Sequence, residues 1–208
     1  MGRSLTVQNL YNQKFDTFSL GGVYGKVMGA PETSGAWIIY GAEKNGKTTF
    51  SLMLAKYLSS FRKTLYVSAE EGTGNDFVRA CQRAGIEPNK NLHFHGYLSI
   101  EDLDKKLSSR RAPKIVFLDN VTVYSSELRG GIVHKLLRKH NDKLIVFIAH
   151  EERNEPYTAT AKLVRKLAKI IVRVRGLACF VSGRCKGGKI IIDEEKAMLY
   201  HGSEIKEK

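Results

Sequence analysis

The chain has 208 residues, of which 42% are hydrophobic, enough for one full-sized core but not for two. Lysine and arginine number 34 against 21 aspartate and glutamate residues, which gives a formal net charge of +13. This excess favours a polyanionic partner, such as nucleic acid, over an acidic small protein. Charge alone does not choose between DNA, RNA and a membrane surface.

The cysteine pattern and the hydropathy point to a reducing, aqueous setting. Cys81, Cys179 and Cys185 are odd in number and form no C-x-x-C pair, so neither a disulfide framework nor a zinc ribbon is indicated. No run approaches the roughly 18 apolar residues of a membrane span, and no signal peptide is recognisable. The expected location is cytoplasmic, without membrane insertion.

In chain order, the sequence predicts an irregular lead-in over 1–35, one main domain over 36–202 and a charged tail over 203–208. Short apolar runs alternate with amphipathic stretches, the rhythm of an α/β fold with a mostly parallel central sheet flanked by helices. The predicted strands are 37–40, 64–68, 115–118, 144–148 and 170–174. The predicted helices are 47–59, 76–84, 100–109, 131–140 and 160–169. Short runs at 177–181, 189–193 and 197–200 predict an antiparallel C-terminal extension.

The segment between the first strand and the first predicted helix matches the phosphate-binding pattern G-x-x-x-x-G-K-[ST] completely. Backbone N–H groups and the helix N-terminus would hold the phosphates, Lys47 would neutralise them, and the Thr48 hydroxyl would reach Mg²⁺. The alternative is a chance glycine-rich turn, which the strand–loop–helix context disfavours. The predicted ATP-binding residues are Gly41, Ala42, Glu43, Lys44, Asn45, Gly46, Lys47, Thr48 and Thr49.

Polar residues follow three further predicted strands. Asp119 ends a buried run and is the predicted second Mg²⁺ residue beside Thr48; alone, it could merely terminate a strand. Glu70 and Glu71 follow the second strand, and Glu70 is favoured as the base that activates water, while Glu71 could serve as a first-turn helix acid. His150 follows the fourth. Because parallel strands end at one edge of the sheet, these groups should converge on Lys47.

Taken in order, these pieces resemble the RecA-like ATPases, the family of RecA, RadA/Sms, KaiC and the DnaB-type helicases. GAEKNGKTT, the strand ending SAEE, the strand ending in Asp119, the strand ending AHEE and the basic segment AKLVRKLAKIIVRVRG follow the family order. The strand LYVSAEE is most similar to RadA/Sms. The resemblance covers about residues 20 to 202, but no RadA-type zinc finger, Lon-like domain, helicase collar or filament-linking N-terminal segment is recognisable.

The resemblance implies further roles. His150 would sense the γ-phosphate, and residues 151–160 would form a mobile loop that contacts DNA. Arg184 and Lys186 would reach the nucleotide of a neighbouring copy, although they could simply be hairpin charges. The ending would be antiparallel and close on residues 199–202.

A basic stretch supports nucleic-acid binding. Lys162, Arg165, Lys166 and Lys169 share one face of a predicted helix, with no carboxylate between them. Arg153 and Tyr157 in the preceding loop are further candidates, with Tyr157 able to stack on a base. The alternative is a solvated helix face without a ligand.

Three functions remain open from the sequence. The leading one is an oligomeric, DNA-dependent ATPase that uses Mg²⁺ and acts in recombination, repair or replication-type remodelling. The second is a nucleotide-gated binding module with little or no hydrolysis, and the third is a small-molecule kinase.

Overall fold

A computed structural model describes residues 4–201, so the predicted charged tail at 203–208 lies outside it. Within these residues nine strands form one sheet. They are β1 (Gly35–Gly41), β2 (Thr64–Ser68), β3 (Leu92–His95), β4 (Ile115–Asp119), β5 (Leu144–Glu152), β6 (Glu155–Pro156), β7 (Ile170–Arg175), β8 (Ala178–Gly183) and β9 (Gly188–Ile191).

Eight helices accompany the sheet in the described part of the chain. They are α1 (Val7–Tyr11), α2 (Gly22–Met28), α3 (Lys47–Ser59), α4 (Asn75–Arg83), α5 (Ile100–Leu107), α6 (Ile132–Lys139), α7 (Ala159–Leu167) and α8 (Glu194–His201). Buried side chains of α2, α3 and α4 pack on one face of the sheet, and those of α5, α6 and α7 pack on the other. Within residues 4–201 none of these helices is long and apolar enough to cross a membrane.

The strand order is β3-β2-β4-β5-β1-β7-β8-β9, with β6 paired to β5. The pairs from β3 through β7 along this order are parallel, and β8 and β9 continue the sheet antiparallel. The predicted α/β fold, with its mostly parallel sheet and antiparallel extension, is therefore confirmed. The near-continuous apolar strands β4 and β5 are buried because helices cover both faces.

The register brings the predicted site residues to one edge. Gly41 pairs with His150 across β1 and β5, and Ser68 pairs with Asp119 across β2 and β4. The carboxyl ends of four adjacent strands, in the order β2-β4-β5-β1, thus lie side by side. In an open parallel sheet this edge is where ligands bind.

Residues 4–35 are more regular than predicted. They contain α1 and α2, and Thr17 and Glu32 form an isolated antiparallel bridge. Phe18, Val27 and Met28 are buried in the same core as α3. Their burial explains the difference, because glycines that suggested irregular backbone also allow this segment to turn tightly against the body.

The prediction that residues 197–200 form a third strand of the antiparallel C-terminal extension is wrong. These residues belong to α8, whose first turn holds Glu194 and Glu195. Asp193 precedes the helix, and its carboxylate accepts a hydrogen bond from the Lys196 backbone N–H at 3.1 Å. An acid before a run of good helix formers is a helix-start pattern, and it outweighs the short apolar run.

The predicted mobile loop at 151–160 is instead a tight hairpin followed by a helix. β5 runs through Glu152, and Glu152 pairs with Glu155 of β6. Arg153 and Asn154 form the turn with φ values of 51° and 69°, the left-handed pair that matches strand twist in two-residue hairpins. The next helix, α7, ends at Leu167, so Lys169 lies beyond it and does not continue its basic face.

Candidate active site

Two glycines of the phosphate-binding segment stand where no side chain fits. A Cβ on Gly41 would lie 2.2 Å from the Val174 carbonyl oxygen of β7. Gly46 has a φ of 96°, and its Cβ would lie 2.7 Å from Leu177 Cδ2. The backbone of β7 therefore requires glycine at position 41, and the left-handed backbone conformation favours glycine at position 46.

The loop between these glycines is held by the chain around residue 176. The Asn45 side-chain oxygen accepts a 2.7 Å hydrogen bond from the Gly176 N–H, and the Asn45 carbonyl accepts one from Leu177 at 3.2 Å. Ala42, Glu43 and Lys44 are exposed. The loop is therefore preformed, with its outer side open to solvent.

The loop fits a phosphate group. Gly46 is the N-cap residue of α3 and has no side chain that could accept a hydrogen bond. The backbone N–H groups in the first turn of α3, including those of Thr48 and Thr49, are therefore not capped by a side chain at this position. Lys47 is buried, and its ammonium group donates to the Ala42 carbonyl at 2.8 Å, inside the loop. Burial lowers the pKa of Lys47, while the charges of Asp119 and Glu70 act in the opposite direction.

Asp119 is a buried carboxylate at the end of β4. The Tyr66 hydroxyl donates to Asp119 Oδ2 at 2.6 Å. Burial raises the pKa of Asp119 from 3.8 to about 6; the Tyr66 bond opposes this rise, and the charges of Glu71 and Glu70 add to it. An acid next to the phosphate loop, with the Thr48 hydroxyl on α3, is a donor set suited to Mg²⁺, which binds through one or two protein oxygens, waters and phosphates.

The carboxylate of Glu70 is held by two side chains. Asn120 donates to Glu70 Oε2 at 2.9 Å, and His150 Nε2 lies 3.2 Å from Glu70 Oε1. Burial acts to raise the pKa of Glu70, but the hydrogen bonds from Asn120 and His150 outweigh it and leave this pKa below its usual value. His150 Nδ1 is buried and has no hydrogen-bond partner in the described chain, so the ring proton is assigned to Nε2, facing Glu70.

The structure thus brings Lys47, Glu70, Asp119 and His150 to one edge of the sheet. It does not bring Arg184 and Lys186 there. Both are exposed and follow β8 at Gly183, which pairs with Ile170 at the start of β7. These residues lie at the opposite end of the strands, about 20 Å from the candidate site, as estimated from the rise per residue along the six-residue strand β7.

The predicted nucleic-acid residues fall into two groups. Arg153, Tyr157, Lys162 and Lys166 are exposed on the hairpin and α7. Arg165 and Lys169 instead bind carboxylates of the chain itself: Arg165 binds Glu155 at 2.6 Å, and Lys169 binds Glu32 at 2.7 Å. The basic face is therefore smaller than its sequence suggests.

Two residues of this site were not predicted from the sequence. Asn120 could have been noticed as a polar residue directly after Asp119, at a strand end. Tyr66 carries no such signal, because its apolar neighbours in β2 predict only a core position. Its partnership with Asp119, 53 positions later in the chain, depends on the pairing of β2 with β4.

The strand order and the phosphate loop together are those of the RecA-like P-loop fold. A solved structure, the flagellar accessory protein FlaH from Methanocaldococcus jannaschii, matches with a TM-score of 0.52 and 14% identity, over 84% of this chain and 91% of that chain. At this identity the match shows the fold alone.

A sequence comparison agrees with this fold. The chain is 30% identical over 95 residues to the DNA repair protein RadA of Aquifex aeolicus (strain VF5), over 45% of this chain. The match spans 21% of the length of that protein. No family model matches the chain.

Proposed function

We propose that the chain is a DNA-dependent ATPase that binds Mg²⁺–ATP, hydrolyses it and works as an assembly of several copies. The observation that carries the proposal is the meeting of Lys47, Glu70, Asp119 and His150 beside the phosphate loop. The repair role named for RadA supports a task in recombination, repair or replication-type remodelling.

In this proposal each group has one task. Residues 41–49 bind the phosphates, and Lys47 neutralises their charge. Thr48 and Asp119 would hold Mg²⁺, which neutralises charge on the β- and γ-phosphates. Glu70 accepts a proton from water as the water oxygen bonds to the γ-phosphorus; the bond to the bridging oxygen breaks, and its electrons leave with ADP. His150 senses the γ-phosphate through its contact with Glu70.

A second copy supplies what one chain lacks. Arg184 and Lys186 lie too far from their own site to touch its nucleotide, so in this proposal they act on the nucleotide of a neighbour. Activity then depends on assembly. Specific activity should fall when the protein is diluted below its assembly concentration, and constant activity during loss of oligomers would contradict the trans role.

The surface proposed for DNA runs from the hairpin to α7. Arg153 lies in the turn of the hairpin, Tyr157 is 57% exposed, and Lys162 and Lys166 stand one helical turn apart. Backbone phosphates are the expected targets of these cations, with Tyr157 available for stacking. A cytoplasmic location agrees with the chemistry of this proposal and stays a prediction.

The test is steady-state ATP hydrolysis with Mg²⁺ at two salt concentrations, without polymer and with single-stranded DNA, duplex DNA or RNA. Lys47→Ala should reduce turnover about 100-fold or more, because it removes charge stabilisation of the transferred phosphoryl group. Lys26→Ala, which removes an exposed lysine of α2, is the matched control and should leave turnover unchanged.

The outcome of this assay distinguishes the three candidate functions. Stimulation by one polymer, weakening with salt and absent in Lys47→Ala, would support a DNA-dependent ATPase or name RNA as its partner. Tight ATP binding without turnover under every condition would replace the proposal with the nucleotide-gated module. Turnover that requires a small metabolite would replace it with a kinase.

A further inference from the structure

Asn120 is a buried polar residue at the edge of the candidate active site. It is 1% exposed, and it directly follows Asp119. Its side-chain oxygen accepts the Thr122 backbone N–H at 2.8 Å, which fixes the orientation of the amide. Its amino group therefore points to Glu70 and donates to Oε2 at 2.9 Å.

The backbone around Asn120 is equally constrained. The Val121 N–H donates to the Ile148 carbonyl of β5 at 2.8 Å, and the Ala69 N–H donates to the Asp119 carbonyl at 2.5 Å. The two turns that carry Asn120 and Glu70 are thus tied to each other and to β5. Asn120 therefore delivers its N–H from a fixed position.

Glu70, in contrast, depends on such contacts. Its side chain is 47% exposed, and it stands on a turn after β2 rather than in a strand. An exposed glutamate ordinarily samples several rotamers. Asn120 binds Oε2 and His150 binds Oε1, so the two contacts together fix the plane of the carboxylate.

We propose that Asn120 is a positioning residue for ATP hydrolysis: it holds the Glu70 carboxylate, opposite His150, in the orientation that receives the proton of the attacking water. This inference rests on the proposed hydrolytic function. A misplaced base loses rate much more than substrate affinity, since about 1 Å of displacement is enough to cost about 100-fold.

Asn120→Asp is the variant that isolates this contact. The new side chain has the same shape, and it keeps the oxygen that accepts the Thr122 N–H. It replaces the donor toward Glu70 with a carboxylate oxygen, which repels Glu70. We expect kcat to fall about 10- to 100-fold at saturating Mg²⁺, with the Kd for ATP changed less than about twofold. Asn9→Asp adds the same charge on α1, a helix without buried residues, and should change neither value.

Combination with Glu70→Gln shows whether Asn120 acts through Glu70. Alone, Glu70→Gln removes the base. In the double variant the new amide can donate to the new carboxylate, so the contact is restored with its donor and acceptor exchanged. Asn120→Asp alone should lower the melting temperature, because it places two carboxylates in contact. We expect the double variant to recover this loss, while its kcat stays at the level of Glu70→Gln.

Each outcome decides between the possibilities. If the wild-type protein hydrolyses ATP and the kcat of Asn120→Asp lies within about twofold of the wild-type kcat, the positioning role is overturned. The role is also overturned if Asn120→Asp lowers kcat by the same factor in the wild-type protein and in the Glu70→Gln variant, because Asn120 would then act independently of Glu70. If the wild-type protein binds ATP but never turns it over, the hydrolytic function fails first, and that result is distinct from both of the others.

Discussion

At the scale of single residues, Asp119 combines deep burial with a negative charge. It is 8% exposed, and Tyr66 donates to one of its oxygens. Burying a carboxylate opposes folding, because water solvates the charge better than the protein does, and the charge of Lys47 offsets only part of this cost. Its position next to the phosphate loop suits the metal-binding role proposed for it, and in that role bound Mg²⁺ would compensate the buried charge.

This cost gives a testable pH dependence. The folded pKa of Asp119, about 6, lies above the unfolded value of 3.8. Between these values the folded protein binds more protons than the unfolded one, so the contribution of Asp119 to stability falls as pH rises through this window. In metal-free buffer with EDTA, Asp119→Asn should therefore stabilise the protein by up to about 3 kcal/mol above pH 6. The gain should vanish near pH 4, as measured by denaturant unfolding.

Asp142 provides the control with the opposite sign. Hydrogen bonds from Lys114 and Lys143 lower its pKa to about 2, below the unfolded value of 3.8. Its stabilising contribution is present above pH 4 and disappears as pH falls toward 2. Asp142→Asn should therefore destabilise the protein at pH 7. Equal responses of the two variants would contradict the assigned environments.

At the scale of elements, the N-terminal segment divides into a part that packs and a part that does not. Phe18 is 2% exposed, and its ring contacts Trp37 and Phe61 with centroid distances of 6.2 and 5.7 Å. Phe15, three residues earlier, is 62% exposed, and α1 has no buried residue. The packed part therefore begins near Phe18 rather than at residue 36.

A pair of phenylalanine variants tests this boundary. Phe18→Ala should lower the free energy of unfolding by about 3–5 kcal/mol, since it empties a filled core position. Phe15→Ala removes the same kind of side chain from a solvent-exposed position and should change the free energy of unfolding by less than about 0.5 kcal/mol. Urea unfolding of both variants provides the measurement. Similar small losses would mean that the segment is not part of the core.

At the scale of the whole molecule, the positive charge is distributed over both faces of the sheet. Lys162 and Lys166 lie on α7, on one face, while Arg79 and Arg83 lie on α4, on the other. Both pairs are exposed and spaced one helical turn apart. Net charge predicts nonspecific attraction from either face, whereas the proposed DNA surface requires the α7 face.

Matched double variants separate these possibilities. Replacing Lys162 and Lys166 with alanine should weaken single-stranded DNA binding and reduce the salt slope of log K by about 1.4, or about 0.7 for each lost phosphate contact. The Arg79 and Arg83 double alanine variant should leave that slope nearly unchanged. Fluorescence anisotropy across a salt series measures both. Equal effects would reject a defined DNA surface on α7.

Much of the architecture could be predicted because local sequence carries it. Apolar runs located β1, β2, β4, β5 and β7, and α3 follows the predicted bounds. Errors arose where the local signal was mixed, as in α8, where a short apolar run competed with a helix-start acid. The hairpin after β5 was missed because its order comes from distant partners, such as Arg173, which binds both oxygens of Glu151 at 2.7 and 2.8 Å.

The sequence by itself determined the phosphate loop with Lys47, the alternation of strands and helices, and the placement of Asp119, Glu70 and His150 near strand ends. These follow from spacing and hydrophobic pattern, which are properties of neighbouring residues. The tertiary structure alone decided which groups touch. Tyr66 meets Asp119, Asn120 meets Glu70, and Lys169 meets Glu32 across 137 positions, since strand register and loop path bring them together. Contacts over such distances have no local pattern, because folding of the whole sheet creates them.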